Sequence, residues 1–146
     1  MNTGKSTDFG KEASRLLPVI QREGMRELMP FLSDNNLTIQ HVVVLELLKE
    51  SGTHKMGDIA KALNLTMSAV TVIIDKMIEM ELVSRERSES DRRVVNVMLE
   101  KKGNKFIEEF SCLRRGIIKE MFSHLTGEEK EEYLRLLRKV CQGLNR

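Results

Sequence analysis

Residues 56–99 constrain the fold of this chain more than any other stretch of its sequence. Their first part predicts a short amphipathic helix over about Met56–Leu63, and Asn64 then suits the left-handed residue of a tight turn. Thr66 is a typical N-cap for a second helix that runs to about Met80. One face of this second helix is predicted to pack inward, because apolar residues recur at helical spacing at Val70, Ile73, Ile74, Met77 and Ile78.

A β-hairpin with an arginine-rich tip is predicted to follow the second helix. Its strands are Leu82–Arg87 and Val94–Leu99, and the polar residues 88–90 lie in the turn between them. Two short helices joined by a tight turn are typical of a helix-turn-helix, whose second helix lies in the major groove of DNA. A hairpin behind it can act as a wing that reaches the adjacent minor groove.

The residues before this unit are predicted to be helical. One helix is expected over about Asp8–Leu32, with Pro18 marking a kink or its true start and Pro30 near its end. Thr38 is a good N-cap for another helix, which runs to about Ser51. This helix contains the segment VVVLELL, which is apolar nearly all round and favours a position in the middle of the domain.

The residues after the hairpin predict two more helices. The first covers about Glu100–His124, although Gly103 and Gly116 lower its helix propensity slightly. It carries two apolar stripes, which indicate two buried contacts, one within the chain and one with a partner chain. Residues 126–129 have the T-x-x-E pattern of a capping box and open the last helix.

The composition is that of an ordinary globular domain. The chain has 146 residues and a net charge of only +2, so charge for binding nucleic acid would have to be arranged locally. No apolar run reaches the roughly 20 residues of a membrane span, and the N-terminus has no signal-like apolar region, so a cytoplasmic location is expected. Cys112 and Cys141 lie at apolar helix positions and are expected to pack, with a redox role as the minor alternative.

The sequence lacks the spacing of a metal, cofactor or catalytic site. His41, His54 and His124 are isolated from one another, so no metal is expected. We find neither a nucleophile–base set nor a glycine-rich phosphate loop, and we therefore expect neither an enzyme nor a bound cofactor.

The candidate DNA contacts lie on the outer face of the second helix and on the hairpin. Hydroxyl groups can hydrogen-bond to phosphates and bases, methyl-bearing side chains can touch a thymine methyl group, and arginine suits phosphates and narrow minor grooves. The alternative is that both surfaces are exposed to solvent and bind nothing. On the DNA-binding interpretation Asp91 pairs with Arg93 and aims it. The contacting residues are then Thr66, Met67, Ser68, Thr71, Val72, Lys76, Arg85, Arg87, Asp91, Arg92 and Arg93.

Five short motifs occur together between residues 37 and 105. They are Leu37-Thr38-x-Gln40, Asp58-Ile59-Ala60, Ser68-x-x-Thr71, Asp91-x-Arg93 and Leu99-x-x-x-Gly103. In this combination the sequence resembles the MarR family of bacterial and archaeal regulators. It departs from the family pattern at Glu81, where a glycine usually precedes the hairpin, and at Glu100, where a threonine usually follows it.

The resemblance implies a mainly α fold with a small β-hairpin wing. A winged helix-turn-helix over 37–99 would be flanked by dimerisation helices over 1–36 and 100–146. The resemblance also implies a homodimer that binds a pseudo-palindromic site in double-stranded DNA, with Arg93 of the wing in the minor groove. Many members release DNA when a small anionic or phenolic ligand binds, and the position of such an effector site in this chain stays open.

The sequence therefore predicts a homodimeric, sequence-specific transcription regulator, namely a repressor released by a small-molecule effector. The alternative is a winged-helix module that binds a protein partner without sequence-specific DNA binding. The near-neutral charge of residues 55–99 favours this alternative weakly.

Overall fold

The computed structural model describes residues 8–144, which form seven helices and three strands. The expected mainly α fold with a small winged hairpin is confirmed. The helices are α1 (Phe9–Met25), α2 (Leu28–Asp34), α3 (Ile39–Ser51), α4 (Met56–Leu63), α5 (Met67–Glu79), α6 (Lys101–Met121) and α7 (Gly127–Leu144). The strands are β1 (Thr53–Lys55), β2 (Val83–Arg87) and β3 (Val95–Leu99).

The described residues divide into two compact units. The central unit is Arg26–Cys112 and contains α2 to β3 together with the first half of α6. The terminal unit contains α1, the rest of α6 from Leu113, and α7. The division into functional segments at residues 36 and 99 stays a prediction, because the two units are defined by packing and not by role.

The core of the central unit is built around α3. Its side chains Val44, Leu45 and Leu48 have no exposed surface, as expected for a helix that is apolar on nearly all sides. Fully burying an aliphatic side chain of this size contributes roughly 1.5–3 kcal/mol. Other elements supply further side chains without exposed surface, namely Ile59, Val70, Ile74, Met77 and Val97.

The hairpin belongs to a three-stranded antiparallel sheet with the strand order β1-β3-β2. His54 of β1 and Arg85 of β2 pair with Val97 of β3 from opposite sides. The strand β1 was not predicted from the sequence, because a strand of three residues is too short to show an alternating pattern. The extra strand places Lys55 directly before α4.

The prediction of one helix over Asp8–Leu32 is wrong, because the segment forms α1 and α2 with a break after Met25. Pro18 lies inside α1 and is not its start. Pro30 lies in the first turn of α2 and does not end a helix. Its missing N–H costs little there, since the N–H groups of the first turn have no partner within a helix.

The start of α6 lies against the start of the hairpin. The backbone N–H of Glu100 donates to the Leu82 carbonyl oxygen at 3.0 Å. A Cβ atom on Gly103 would overlap that carbonyl oxygen and would lie 2.9 Å from Cδ1 of Leu99. Gly103 is therefore required by a close approach, which outweighs its low helix propensity. Glu81 takes the position where the family has a glycine and has a left-handed φ of 61°.

In the terminal unit α7 begins with the predicted capping box. The backbone N–H of Thr126 donates to Oε2 of Glu129 at 2.8 Å, and the N–H of Glu129 donates to Oγ1 of Thr126 at 3.2 Å. The expectation that the two cysteines pack inward is wrong for this chain taken alone, since Cys112 and Cys141 are both exposed. Their helix positions are apolar in phase, but they lie on faces that no other part of residues 8–144 covers.

No single helix in residues 8–144 has the length and apolar character needed to cross a membrane. The pair α4 and α5 meets those criteria only when taken together, and the two helices are bent by 108°. In the same residues, histidine, cysteine, aspartate and glutamate side chains form no group of three that could hold a metal ion.

Candidate nucleic-acid interface

The helices α4 and α5 form the predicted helix-turn-helix. Asn64 ends α4 in the left-handed conformation, with φ of 52°, and the N–H of Leu65 donates to the Ala60 carbonyl at 3.0 Å. The hydroxyl of Thr66 then caps α5 by accepting from the N–H of Ala69 at 3.3 Å. The angle of 108° between the helices lies in the range typical of this motif.

The N-terminal half of α5 has an open outer face. The side chains of Met67 and Val72 are 50% and 70% exposed, whereas Val70 and Ile74 are fully buried on the inner face. Ser68 is also exposed. The structure thus brings three predicted contacts together on one surface, where apolar groups can meet a thymine methyl group and a hydroxyl can meet a base edge.

The hydroxyl groups of Thr66 and Thr71 already have partners within the helix. Oγ1 of Thr66 caps α5 and lies 3.1 Å from Oγ of Ser68. Oγ1 of Thr71 donates to the Met67 carbonyl oxygen at 2.8 Å. A hydroxyl has one donor and two acceptor lone pairs. In this rotamer Thr71 can therefore accept a hydrogen bond from DNA but has no proton left to give.

Asp91 shapes the tip of the wing. One of its carboxylate oxygens accepts from the backbone N–H of Arg93 at 2.9 Å, and its carbonyl accepts from the N–H of Val94 at 2.9 Å. The predicted side-chain pairing of Asp91 with Arg93 is wrong, because these residues form a turn and not a strand in which every second residue shares a face. Asp91 holds the backbone of the tip and leaves the guanidinium of Arg93 unpaired.

Three wing arginines are available to a ligand. Arg87, Arg92 and Arg93 are all exposed, and none of their guanidinium groups has a hydrogen bond or ion pair within the part of the chain that the structure describes. An unpaired guanidinium on a protruding hairpin suits phosphate oxygens and a narrow minor groove.

Arg85 differs from the other wing arginines because its guanidinium pairs with the carboxylate of Asp75 in α5. The side chains of Arg85 and Asp75 are 33% and 49% exposed. Asp75 lies one helical turn beyond Thr71, on the same face of α5. The structure therefore places Arg85 between the helix and the wing, and a DNA contact by this residue stays a prediction.

Lys76 lies one helical turn beyond Val72 and has a hydrogen-bond partner outside α5. Its ammonium donates to Oδ1 of Asn36 in the loop before α3 at 3.3 Å, and the residue is half-buried. Its ammonium is engaged by Asn36, and its role in DNA binding also stays a prediction. It lines a different groove, of about 560 Å³, together with Met29, Ser33, Leu37 and Ile39 among others.

His41 is a buried polar group near Lys76. Its Nδ1 accepts from the backbone N–H of Thr38 at 2.9 Å and lies 2.8 Å from the Thr38 hydroxyl, so it caps the start of α3. Nε2 is buried without a hydrogen-bond partner among the described residues. Burial lowers the pKa of His41, and the positive charge of Lys76 lowers it further. Both effects favour the neutral ring, in which Nδ1 can accept.

Two lysines that were not predicted from the sequence lie near the open face of α5 and the wing. Lys55 and Lys61 line a groove of about 360 Å³ between the start of α4, α5 and the wing, together with Arg85 and Arg93. Four basic side chains face one acidic side chain there, that of Asp58. The lysines gave no signal in the sequence, because the strand that positions Lys55 was not recognised and the net charge of the segment is near neutral.

This geometry defines a winged helix-turn-helix protein, whose central unit carries the candidate DNA-binding surface. A sequence model of the MarR family matches residues 37–95. The chain is 30% identical over 139 residues to YsmB of Bacillus subtilis, an uncharacterised transcriptional regulator, covering 95% of this chain and 92% of YsmB. It is 29% identical over 117 residues to the transcriptional repressor MdtR of the same bacterium, covering 80% of this chain and 76% of MdtR.

Solved structures show the same architecture. A MarR family protein from Bacillus stearothermophilus superposes with a TM-score of 0.85 at 26% identity, covering 98% of this chain and 100% of that protein. A cysteine-to-serine mutant of Escherichia coli MarR in complex with operator DNA gives a TM-score of 0.69 at 25% identity, covering 92% and 99%. The chain belongs to the MarR family of transcriptional regulators. It is a DNA-binding regulator and not an enzyme, as expected.

Proposed function

We propose that this chain acts as a homodimeric repressor, which binds a pseudo-palindromic operator in double-stranded DNA and leaves it when a small effector binds. The observation that carries the proposal is the groove that Arg93 of the wing lines together with Met67 and Thr71 of α5, next to the exposed side chains of Ser68 and Val72. The relative MdtR is a repressor, and the related E. coli protein was crystallised on operator DNA. Both support the repressor role proposed for this chain.

The apolar side chains of the terminal unit support a dimer. No residue of α1 or α7 is buried, yet both helices carry large apolar side chains at helical spacing. A monomeric protein rarely exposes so much apolar surface in contiguous patches. A two-fold symmetric contact would cover these faces and present two α5 helices to half-sites roughly 34–36 Å apart. The side chains in question include Leu16, Leu17, Ile20, Leu136, Leu137 and Val140, which are 40–61% exposed.

In this proposal the wing tip enters the minor groove of DNA and the first turns of α5 enter the major groove. The N-terminal turn of α5 also offers backbone N–H groups to a phosphate. Lys55 and Lys61 lie beside it and extend the basic surface toward the DNA backbone. We therefore add these two lysines to the proposed contacts as groups that bind phosphates without reading sequence.

A small anionic or phenolic effector fits the groove that Lys76 lines. Its apolar lining comes from Met29, Leu37 and Ile39, and Lys76 supplies a positive charge. Because Lys76 belongs to α5, a ligand that takes its ammonium from Asn36 would contact α5 directly. A probe such as benzoate is expected to bind there and to lower operator affinity. The affinity of the Lys76→Ala variant should be insensitive to benzoate.

The experiment that tests the proposed function is selection from a randomised duplex library, followed by fluorescence anisotropy on the enriched sequence at two salt concentrations. We expect an inverted repeat, a stoichiometry of one dimer per site, and affinity that falls steeply with salt as phosphate counterions are released. No enrichment above bulk DNA, together with a tight protein partner, would favour the protein-interaction module instead.

Arg93→Ala tests the assignment of the wing. Loss of one guanidinium from the minor groove is expected to lower operator affinity about tenfold, or roughly 1.4 kcal/mol, without unfolding the protein. Glu89→Gln at the same exposed tip is the control and should not weaken binding. Unchanged affinity in the Arg93→Ala variant would remove the wing from the proposed contact surface.

A further inference from the structure

A carboxylate on the DNA-facing side of α5 is unfavourable for DNA binding unless it has another task. Asp75 follows Ser68 and Thr71 at intervals of seven and four residues, so all three lie along one face of the helix. Its negative charge would repel phosphates that approach this face. In the structure the carboxylate of Asp75 forms an ion pair with the guanidinium of Arg85.

The partner of Asp75 lies on the wing. Val83, Arg85 and Arg87 share one face of β2, because side chains alternate along a strand. Val83 is buried at the base of that face, and Arg87 lies near the tip. The ion pair therefore joins the middle of the wing to the third turn of α5.

We propose that Asp75 and Arg85 are positioning residues, which hold the wing at a fixed angle to α5 so that Arg93 and Ser68 reach neighbouring grooves of one DNA site together. The inference rests on the proposed function, in which α5 and the wing bind the same operator. An angle that is already set in the free protein lowers the ordering cost of binding. On this reading Arg85 acts through the wing and not by touching a phosphate.

The effect of Asp75→Asn distinguishes positioning from direct contact by its sign. The substitution keeps the shape of the side chain and removes one negative charge from the DNA-facing surface. Electrostatics alone would make DNA binding tighter, and a released Arg85 would be free to bind a phosphate. Loss of the fixed angle would make binding weaker. We expect operator affinity to fall about tenfold, within the range of coupling between residues in contact.

The matched control is Glu79→Gln. This substitution removes a negative charge from the same helix, where Glu79 is exposed and has no ion pair within residues 8–144. It is expected to leave operator affinity unchanged or slightly tighter. A fall in affinity confined to Asp75→Asn therefore reports the lost pair and not a change in net charge.

Two double variants add readouts that a direct contact would not produce. Exchange of the charges, Asp75→Arg with Arg85→Asp, is expected to restore most of the affinity, which a purely local folding defect would not allow. In the Asp75→Asn background, Arg93→Ala should cost less than in the wild type, because the wing is no longer held in register. Circular dichroism and thermal melts of each variant report whether the fold is retained.

The decisive measurement is anisotropy with the selected operator for the wild type, Asp75→Asn, Glu79→Gln and the charge-exchanged pair. Weakened Asp75→Asn with recovery in the exchanged pair supports the inference. Equal or tighter binding by Asp75→Asn overturns it and leaves the proposed function intact. The same holds if the double variant Asp75→Asn with Arg85→Gln binds the operator more weakly than Asp75→Asn alone and its affinity depends less on salt, because Arg85 would then contact a phosphate. Absence of sequence-specific binding by the wild type overturns the proposed function and the inference together.

Discussion

The two units of this chain contrast in how they treat their apolar residues. The central unit covers a core in which Val44, Leu45 and Leu48 have no exposed surface. In the terminal unit no residue of α1 or α7 is buried, and Leu137 and Val140 are 43% and 59% exposed. Both units have amphipathic helices, but only the central one closes on itself. Amphipathic periodicity thus predicts that a helix face is buried, but it does not tell whether the same chain or a second chain buries it.

The largest expected effect comes from opening the closed core. Leu48→Ala removes a fully buried side chain from the middle of α3 and is expected to lower the free energy of unfolding by about 2–5 kcal/mol. Urea denaturation at fixed protein concentration measures this loss. The dimer dissociation constant should not change, since Leu48 lies in the central unit. A loss below about 1 kcal/mol would contradict a tightly packed core.

The next largest effect is expected within one helix, since α6 contributes a glycine to each unit. In Gly103→Ala the added methyl group overlaps the Leu82 carbonyl oxygen, and overpacking of this kind costs about 1–3 kcal/mol. In the control, Gly116→Ala, no atom of residues 8–144 lies within 4 Å of the new methyl group apart from the adjoining backbone of α6. It should gain up to about 1 kcal/mol from helix propensity. Equal thermal midpoints for the two variants would refute the close approach at Gly103.

A smaller effect tests whether a second copy covers the terminal unit. Leu137→Ala removes an exposed apolar side chain and is expected to weaken dimerisation about tenfold, or roughly 1.4 kcal/mol. Sedimentation equilibrium measures the dissociation constant, and Leu48→Ala provides the reciprocal control. If Leu137→Ala left dimerisation unchanged, the face of α7 that carries it would lie outside the proposed interface.

The smallest expected effect is the dependence of stability on pH through His41. Burial and the Lys76 charge lower the pKa of His41 in the folded state, so its contribution is fully present above the ordinary value near 6.5 and is lost as pH falls below it. Protonation of Nδ1 would break the cap at Thr38, which costs about 1 kcal/mol. Thermal melts at intervals of about one pH unit, between roughly pH 5 and 8, measure how stability changes with pH.

His41→Asn offers a matched variant, because an amide oxygen can accept from the Thr38 N–H without titrating. We expect this variant to lose part of the pH dependence of stability that the wild type shows below about pH 6.5, the ordinary pKa of histidine. His124→Asn, at an exposed position, should retain it. An identical slope in the wild type and His41→Asn would show that other groups set the acid stability.

The parts of the fold that could be predicted are those set by neighbours in sequence. Asn64 and Thr66 signalled the turn of the helix-turn-helix, because a left-handed residue and an N-cap act within four residues. The break between α1 and α2 was missed, since the apolar pattern runs on and Pro30 fits a first turn as well as an end. β1 was missed because its pairing partner in β3 lies more than 40 residues away.

The candidate site shows the same limit at the level of side chains. Exposure of Met67, Ser68 and Val72 followed from helical periodicity alone. The partners of Arg85 and Lys76 did not, because Asp75 and Asn36 meet them only through tertiary packing. Sequence reasoning therefore placed residues on the correct element and could not tell a free cation from a paired one.

The third strand has a mechanical consequence for the wing. A two-stranded hairpin is marginally stable in water, but β1 pairs with β3 from Asn96 to Met98 and clamps the hairpin at its base. Residues 88–94 lie beyond the paired strands and form the tip of the wing. These seven residues bend more easily than the base, which β1 holds in place. The tip therefore adapts to minor grooves of different width, while the base of the wing keeps its direction.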